Sequence, residues 1–375
     1  MNKQMGYLDS VLDRLKTLRE NNKITETELE ERMILGPGWV SRFESGTTVP
    51  SIDMLLAMLH EMGSSLPELF EGLPDHPETA EVERTIFAEP DGDNLTVFFR
   101  YANFDARYTL PNATLDQFED VVKTMRDTLS RLATADEIAK EAIKTNAVAN
   151  AFIRSVNTWP HANPSDLWWF LVYRAYCDPY NHPATYARLD FAQSWKRTGG
   201  WALEEVLVRH YGPFLRSNGV NLFIADRATT QAIVDNLDVG DRIEADKIDV
   251  VISNGKTGDF MGVVNVKASF AERRTDDVPM SNALSKAGYL SPLWTMDCKS
   301  MPSATPRNRG ELGVAVGNRS AKRMDIEDEG YFTGCFSYNR NTNPTEAGVP
   351  VERRIQVCDF QNPDDAFTRF ILSKL

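Results

Sequence analysis

An aspartate and a lysine between residues 247 and 269 are spaced so that a β-hairpin would bring them together. Residues 247–252 read Lys-Ile-Asp-Val-Val-Ile, residues 254–258 read Asn-Gly-Lys-Thr-Gly, and residues 263–269 read Val-Val-Asn-Val-Lys-Ala-Ser, which predicts two strands joined by a turn. Successive strand side chains point to opposite faces, so Asp249, Asn265, Lys267 and Ser269 share one face. In a hairpin folded about Gly258, we expect Asp249 to lie directly opposite Lys267. The other face takes only apolar residues: Ile248, Val250, Ile252, Val264, Val266 and Ala268.

This pair of residue types suits the hydrolysis of a phosphodiester. A carboxylate oxygen is a ligand that Mg²⁺ prefers, and a bound Mg²⁺ lowers the pKa of one of its waters. A nearby ammonium can position the attacking water or offset the charge that develops on the phosphate. The alternative is a surface salt bridge on a strand, which would have no chemical role.

The residues that follow Lys267 favour a role with DNA. The sequence continues Lys-Ala-Ser-Phe-Ala-Glu-Arg-Arg, which places Glu272, Arg273 and Arg274 just beyond the second strand. Arginine can form two hydrogen bonds to guanine, and a carboxylate accepts one from cytosine N4, so an adjacent Glu-Arg pair can read a C·G base pair. The alternative is an exposed charged turn after a strand.

The whole pattern resembles the PD-(D/E)XK type II restriction endonucleases, in particular the EcoRII-like and NgoMIV-like group that reads CCGG or interrupted CC/GG sites. In that group the catalytic lysine is followed about six residues later by an Asp/Glu-Arg pair, as Lys267 is by Glu272 and Arg273. Two positions depart from the common pattern. Ile248 replaces the proline before the first aspartate, and Asn265 stands where an acid is usual.

The resemblance implies that a helix supplies the missing carboxylate. The segment 193–207 is similar to the first helix of many such nucleases, in which a Gly-x-x-x-Glu sequence brings an acid to the metal. Glu204, four residues after Gly200, is the predicted acid and Glu205 is its rival, because both flank the apolar positions of the helix.

The implied site then has defined roles. Asp249, Glu204 and the main chain near Val266 would hold Mg²⁺, and the activated water would attack the phosphodiester. Lys267 would position that water and stabilise the developing charge.

The N-terminal 65 to 70 residues resemble a helix-turn-helix domain of the XRE/Cro type. Five helices are expected in order, within residues 15–20, 24–29, 38–46, 50–56 and 65–70. The resemblance implies DNA contacts from Ser41 and Arg42 in the recognition helix. However, Glu26 replaces the usual phosphate-binding glutamine, and residues 1–75 hold seven basic and thirteen acidic side chains. Dimerisation or protein contact is therefore an equal alternative for this domain.

Length and composition set the remaining expectations. A chain of 375 residues predicts two or three domains, here 1–74 (helix-turn-helix), 75–132 (a small α+β connector) and 133–375 (the endonuclease). The predicted fold class is an α/β restriction-endonuclease core, a mixed sheet flanked by helices, with the all-α domain and the connector before it. The net charge is −13, but residues 267–323 hold ten basic and five acidic side chains, as a DNA cleft would. The four cysteines show no paired spacing and predict reduced thiols.

These observations predict a Mg²⁺-dependent, site-specific endonuclease of double-stranded DNA that cuts a palindrome with a CCGG or CC/GG core. A palindromic site implies a homodimer, and the family implies a DNA methyltransferase as a functional companion. The chain has no targeting segment or membrane span, so we expect a cytoplasmic protein. The alternative is an XRE-type transcriptional regulator with a C-terminal sensing or dimerisation domain. A metalloprotease is excluded because the five histidines form no His-Glu-x-x-His sequence.

Overall fold

The chain folds into two compact units, Met1–Glu83 and Arg84–Leu375. The computed structural model describes residues 7–73, 85–101, 104–184, 190–237, 247–269, 274–298, 308 and 310–375. Within the described part of the chain, no helix combines the length and the apolar character needed to cross a membrane.

The N-terminal unit contains the five predicted helices. They are α1 (Tyr7–Asn21), α2 (Glu26–Arg32), α3 (Trp39–Glu44), α4 (Ile52–Met62) and α5 (Leu66–Phe70). Thr25 caps α2 and forms a capping box with Glu28, and Gly46 adopts a left-handed conformation just after α3. Leu15, Leu29 and Val40 are fully buried in a hydrophobic cluster of this unit.

The second unit begins with a three-stranded antiparallel sheet and a helix. The strands are β1 (Ile86–Asp91), β2 (Asn94–Tyr101) and β3 (Phe104–Leu110), in that order, and they are followed by α6 (Leu115–Leu129). The sheet and helix match the elements predicted for the connector. Their buried residues belong to the main hydrophobic cluster of the unit, in which Val97 and Phe118 are packed in one core with Trp168 and Leu203. The division into three domains remains a prediction.

The helices that follow α6 in the second unit surround one central sheet. They are α7 (Glu137–Thr158), α8 (Pro164–Asp166), α9 (Tyr173–Cys177), α10 (Phe191–Ser217), α11 (Arg227–Asn236), α12 (Arg274–Lys286), α13 (Ala321–Glu327) and α14 (Ala366–Leu372). A π-helical turn, Leu167–Val172, joins α8 to α9 and buries Trp168. All four cysteines are free thiols.

The central sheet has six strands and mixed directions. The strands are β4 (Val220–Phe223), β5 (Val250–Asn254), β6 (Phe260–Lys267), β7 (Leu293–Thr295), β8 (Cys335–Ser337) and β9 (Ile355–Val357). The strands lie in the sheet in sequence order. The β4–β5 and β5–β6 pairs are antiparallel, and the β6–β7, β7–β8 and β8–β9 pairs are parallel. The parallel register aligns Lys267, Thr295, Ser337 and Val357 along one edge of the sheet. The predicted mixed sheet flanked by helices is therefore confirmed.

Both faces of the β5–β6 hairpin are buried. Val250 and Val264 share the main hydrophobic cluster with Leu203 and Val206 of α10. Val263 packs in a separate cluster with Met280 and Leu284 of α12. Ile248 also belongs to this second cluster, so its predicted place on the face of Val250 is wrong. The reason is that Ile248 precedes β5, and strand alternation does not extend to it.

Candidate active site

Asp249 and Lys267 are in direct contact at the end of the hairpin. Lys267 Nζ donates a hydrogen bond to Asp249 Oδ2 at 2.7 Å, and the backbone N–H of Val266 donates to the same oxygen at 2.8 Å. Only 9% of the lysine side chain and 12% of the aspartate side chain are exposed. A charge pair with so little solvent around it is not the surface salt bridge of the alternative interpretation.

The two residues meet diagonally rather than directly across the hairpin. Val250 pairs with Val264, so the register places Asp249 opposite Asn265, two residues before Lys267. The predicted direct pairing is wrong because the turn closes earlier than a hairpin centred on Gly258 would. Asn254 N–H bonds Asp259 O, and the strand register shifts between Ile252 and Ser253. The lysine side chain is long enough to span the diagonal.

A second carboxylate, Asp277, also reaches the lysine. Its Oδ1 lies 3.5 Å from Lys267 Nζ, and its side chain is 3% exposed. Asp277 is in α12, the helix that covers the hairpin face on which Lys267 lies. Sequence reasoning missed this residue. The available signal was an acid ten residues after the lysine in a segment predicted to leave the sheet.

Asn265 has a structural role at the position where an acid is usual. It is 1% exposed, and its Nδ2 donates to Ser291 Oγ at 3.0 Å and to Pro292 O at 3.2 Å. These bonds fix β6 to the chain that enters β7. The amide donates here, which a carboxylate could not do.

The predicted helix acids lie in α10 and differ in their surroundings. Glu205 forms an ion pair with Arg209 at 2.8 Å, and Arg209 also donates to Asn150 at 2.8 Å, so Glu205 helps to join α10 to α7. Glu204 is half-buried beside Leu203. That Glu204 and Asp249 hold the same metal ion remains a prediction.

The predicted base-reading residues lie at or next to a segment that the structure does not describe. Glu272 and Arg273 lie outside the described residues. Arg274 is the first residue of α12, but its side chain is outside the described part.

Further polar contacts fix the chain just beyond Lys267. Ser269 Oγ donates to Glu311 Oε1 at 2.8 Å, and Lys322 is bonded to the other oxygen of the same carboxylate. Asp297 accepts hydrogen bonds from the backbone N–H groups of Glu311 and Leu312. Burial raises the pKa of Asp297 to about 6, although these bonds oppose the shift. The loop that carries Glu311 is thus fixed to the edge of the sheet on which Lys267 lies.

The donors gathered around Lys267 are of the kind that a hard divalent cation takes. Asp249 and Asp277 both direct a carboxylate oxygen at one positive charge, so hard oxygen donors of the type that Mg²⁺ binds are already collected here. Among the described residues no group of three or more histidine, cysteine or acidic side chains is arranged around a metal position. Carboxylate oxygens of this kind, together with main-chain oxygen and water, are the ligands that a hard divalent cation takes.

In the N-terminal unit, the predicted DNA contacts lie in α3. Ser41 and Arg42 are both exposed, and the Arg42 guanidinium stacks 4.6 Å from the ring centre of Trp39. Residues 7–73 contain twelve acidic and six basic side chains.

A known enzyme resembles this chain over most of its own length, both in sequence and in structure. A helix-turn-helix family matches residues 15–69. The type II restriction enzyme AgeI of Thalassovita gelatinovora is 37% identical over 240 residues, which are 61% of this chain and 84% of that enzyme. This chain belongs to the type II restriction endonucleases. A crystal structure of an AgeI–DNA complex superposes with a TM-score of 0.64 and 32% identity, over 75% of this chain and 99% of that one.

Membership of this family decides between the two functions that the sequence left open. The chain is a site-specific DNA endonuclease, and the transcriptional-regulator interpretation is not supported. The resemblance inferred from Lys267, Glu272 and Arg273 is confirmed at the level of the family.

Proposed function

We propose that this endonuclease cleaves double-stranded DNA in a Mg²⁺-dependent reaction at the edge of the sheet where β6 ends. The observation that carries the proposal is the contact of Lys267 Nζ with Asp249 at 2.7 Å and with Asp277 at 3.5 Å. An ammonium between two carboxylates, almost closed to solvent, gives a dense set of fixed charges. Such preorganised charge stabilises the transition state of phosphoryl transfer.

Each residue has a role in this proposal. Asp249, with Glu204 and the main-chain oxygen of Val266, would hold the cation, and Asp277 is a further acid that contacts Lys267. A bound divalent cation supplies Lewis-acid stabilisation and a water of lowered pKa. Lys267 would position the attacking water and stabilise the developing charge. Its contacts with Asp249 and Asp277 hold the ammonium in place.

The recognition site is proposed to contain adjacent C·G pairs, as CCGG or CC/GG with a central insertion. Glu272 would accept from cytosine N4, Arg273 would donate to guanine O6 and N7, and Arg274 would contact the adjacent backbone or base. A palindrome of this kind is read by two symmetry-related copies, so the active protein is proposed to be a homodimer. A DNA methyltransferase of the same specificity would protect the host DNA in the cytoplasm.

The proposed reaction is tested by incubating the protein with a mixed-sequence plasmid and MgCl₂, then sequencing the ends. We expect one recurring cut sequence, with no cleavage in EDTA. Lys267→Ala should lower the cleavage rate by about 10²–10³ or more while DNA binding persists, because it removes charge at the transition state. Lys374→Ala is the matched control, since the Lys374 ammonium forms an exposed ion pair with Glu352 and contacts the ring of Phe370 but no residue of the proposed site. Full cleavage by Lys267→Ala would contradict the proposed site.

Base reading is tested with Arg273→Ala. Losing a bidentate contact costs about 1–3 kcal/mol per half-site, so a symmetric dimer should lose roughly two to four orders of magnitude in affinity for its site. Non-specific binding depends on phosphate contacts and should change little. The measurement is competition against a random-sequence library. If Arg273→Ala selects the original site with unchanged preference, recognition lies elsewhere in the chain.

A further inference from the structure

A positively charged residue, Arg340, follows the strand that ends two places from Lys267 along the same edge of the sheet. The parallel register aligns Lys267 at the end of β6 with Thr295 in β7 and Ser337 at the end of β8. Arg340 comes three residues after Ser337. Neighbouring strands lie about 4.8 Å apart, so the ends of β6 and β8 are separated by about 10 Å. Arg340 therefore belongs to the edge at which cleavage is proposed.

The main chain around Arg340 is fixed to the segments on either side of it. The backbone N–H of Arg340 donates to Asn163 Oδ1 at 3.0 Å. The preceding residue, Asn339, is fully buried, and its Nδ2 donates to the carbonyls of Asp297 at 3.1 Å and Asn308 at 3.2 Å. These bonds attach the end of β8 to the residues that follow β7, so the position of Arg340 at the edge is set by the fold.

The guanidinium of Arg340 is held by neutral groups rather than by an acid. Its Nη1 donates to His161 O and its Nη2 to Pro160 O, both at 2.6 Å. Within the part of the chain that the structure describes, Arg340 forms no ion pair, whereas Arg319 and Arg323 pair with carboxylates. The side chain is half-buried, and both carbonyl bonds lie at the surface. Two of the five N–H donors are used, so three remain for a ligand.

A charge of this kind suits a phosphate of the DNA backbone. The guanidinium is always ionised, and its planar set of donors matches a phosphate through two parallel hydrogen bonds. Between half and two-thirds of protein–DNA hydrogen bonds go to phosphate and sugar, and these contacts fix the position of a protein on the duplex. The two carbonyls orient the guanidinium of Arg340 before DNA binds, and they do not neutralise its charge as a carboxylate would.

We propose that Arg340 binds a phosphate of the DNA backbone, within about three nucleotides of the phosphate that is cleaved. The inference rests on the proposed function, because it requires the cleaved phosphate to lie beside Lys267. Arg340 then sets the position of the duplex along the edge of the sheet, and it contributes equally to the binding of every sequence.

The test is how the DNA affinity of the full-length protein depends on salt concentration, measured in EDTA with preferred and unrelated duplexes. Each phosphate contact contributes about 0.9 to the slope of log K against log salt concentration. Arg340→Gln keeps a donor for a carbonyl and removes the charge. It should lower the slope by about 0.9 for each protein copy on the DNA and weaken binding by roughly 10-fold on both duplexes. Arg340→Lys keeps the charge and should retain most of the slope.

Two controls separate the phosphate contact from a structural role. Arg353 also donates to a carbonyl, that of Asp328 at 2.6 Å, but it lies at the amino end of β9, on the opposite side of the sheet from the Lys267 edge. Gln361 Nε2 donates at 2.7 Å to Pro160 O, the carbonyl that Arg340 also uses, and carries no charge. Arg353→Gln and Gln361→Ala should therefore both keep the salt slope of the parent protein.

The outcomes are distinct. A folded Arg340→Gln with the slope of the parent overturns the inference. So does a loss of slope in Gln361→Ala equal to that in Arg340→Gln, which would assign the effect to the loop at Pro160. A changed preference at a single base position also overturns it, because that result indicates a base contact.

If Arg340→Gln does not fold, duplexes that carry one neutral methylphosphonate decide the result. The parent should lose affinity when a phosphate within about three nucleotides of the cut is neutralised, and Arg340→Lys, which lacks the planar donors, should lose less at that phosphate. Equal losses in both proteins at every phosphate overturn the inference. A parent protein that binds DNA but does not cut it in MgCl₂ overturns the proposed function instead, because the salt slope is measured without cleavage.

Discussion

At the scale of single residues, the candidate active site is defined by which carboxylates act with Lys267. Three acids compete for that role. Asp249 contacts the lysine at 2.7 Å and Asp277 at 3.5 Å, whereas Glu204 is assigned from the resemblance of its helix. The acids can be distinguished because amide substitutions remove charge and keep shape.

We expect Asp277→Asn to lower the cleavage rate by about 10²-fold or more, because Lys267 loses one of the charges that hold its ammonium. Glu204→Gln should lower the rate and also raise the Mg²⁺ concentration needed for half-maximal cleavage, since Glu204 is proposed as a cation ligand. Both effects are measured by single-turnover cleavage across a MgCl₂ titration.

Glu205→Gln is the matched control for both variants. Glu205 lies next to Glu204 in α10 but is paired with Arg209, so its loss should affect stability slightly and leave the Mg²⁺ dependence unchanged. If Glu205→Gln is impaired and Glu204→Gln is not, the cation ligand was assigned to the wrong residue of the helix. If Asp277→Asn cleaves at the rate of the parent protein, the contact of Asp277 with Lys267 has no role in cleavage.

The sequence could predict the contact between Asp249 and Lys267, because strand alternation is a local rule and the two residues flank one turn. It could not predict Asp277, because that contact depends on how α12 folds back over the hairpin. Val263 buries itself against Met280 and Leu284 of this helix, and that packing brings Asp277 to the lysine. Long-range packing of this kind leaves no periodic signal in the sequence.

At the scale of elements, α10 contains Glu204, the proposed helix acid, and carries two adjacent glycines, Gly199 and Gly200. Helical glycine is less stable than alanine by about 0.5–1 kcal/mol. A Cβ added at Gly200 would have no neighbour within 4 Å, whereas one added at Gly199 would lie 3.0 Å from Cε2 of Trp195. Trp195 is buried in the main core, so it cannot move freely.

Gly200→Ala should therefore raise the free energy of unfolding by about 0.5–1 kcal/mol. Gly199→Ala is the control in the same turn and should lower it, because Trp195 must shift. Thermal and urea unfolding of both variants measure the difference. A destabilised Gly200→Ala protein would show that something approaches this face of α10 that the structure does not place there.

Most elements could be predicted from local pattern, and the errors are at their ends. The five helices of the N-terminal unit and the strands around the Asp249–Lys267 pair are found as expected. The predicted register of the hairpin is wrong because Asn254 N–H bonds Asp259 O, which closes the turn early. Turn geometry of this kind depends on a few hydrogen bonds rather than on the alternation of the strands. The parallel order of β6 to β9 could not be derived, since β7, β8 and β9 have three residues each and carry no readable period.

At the scale of the whole molecule, the chain combines a nuclease with an N-terminal unit, and the superposed AgeI structure is too short to cover both. The AgeI superposition covers 99% of that chain but 75% of this one, so about a quarter of this chain (100% minus 75%) has no counterpart there. The N-terminal unit, Met1–Glu83, is of that size, matches a different family and has a hydrophobic cluster of its own. The cleavage machinery and the helix-turn-helix unit therefore have separable cores.

This separation leads to a prediction about the N-terminal unit. A protein that begins at Arg84 should fold and cut the same sequence as the full chain, because Asp249, Lys267 and Asp277 all lie in the second unit. Ser41 and Arg42 are set in a region with twice as many acidic as basic side chains, which opposes binding to a polyanion, so Arg42→Ala in the full chain should also leave the cut sequence unchanged. End sequencing and affinity as a function of salt concentration measure both expectations. If the shortened protein is folded by circular dichroism but cuts a different sequence, or if Arg42→Ala changes the preferred site, the helix-turn-helix unit reads DNA directly and site selection is shared between the two units.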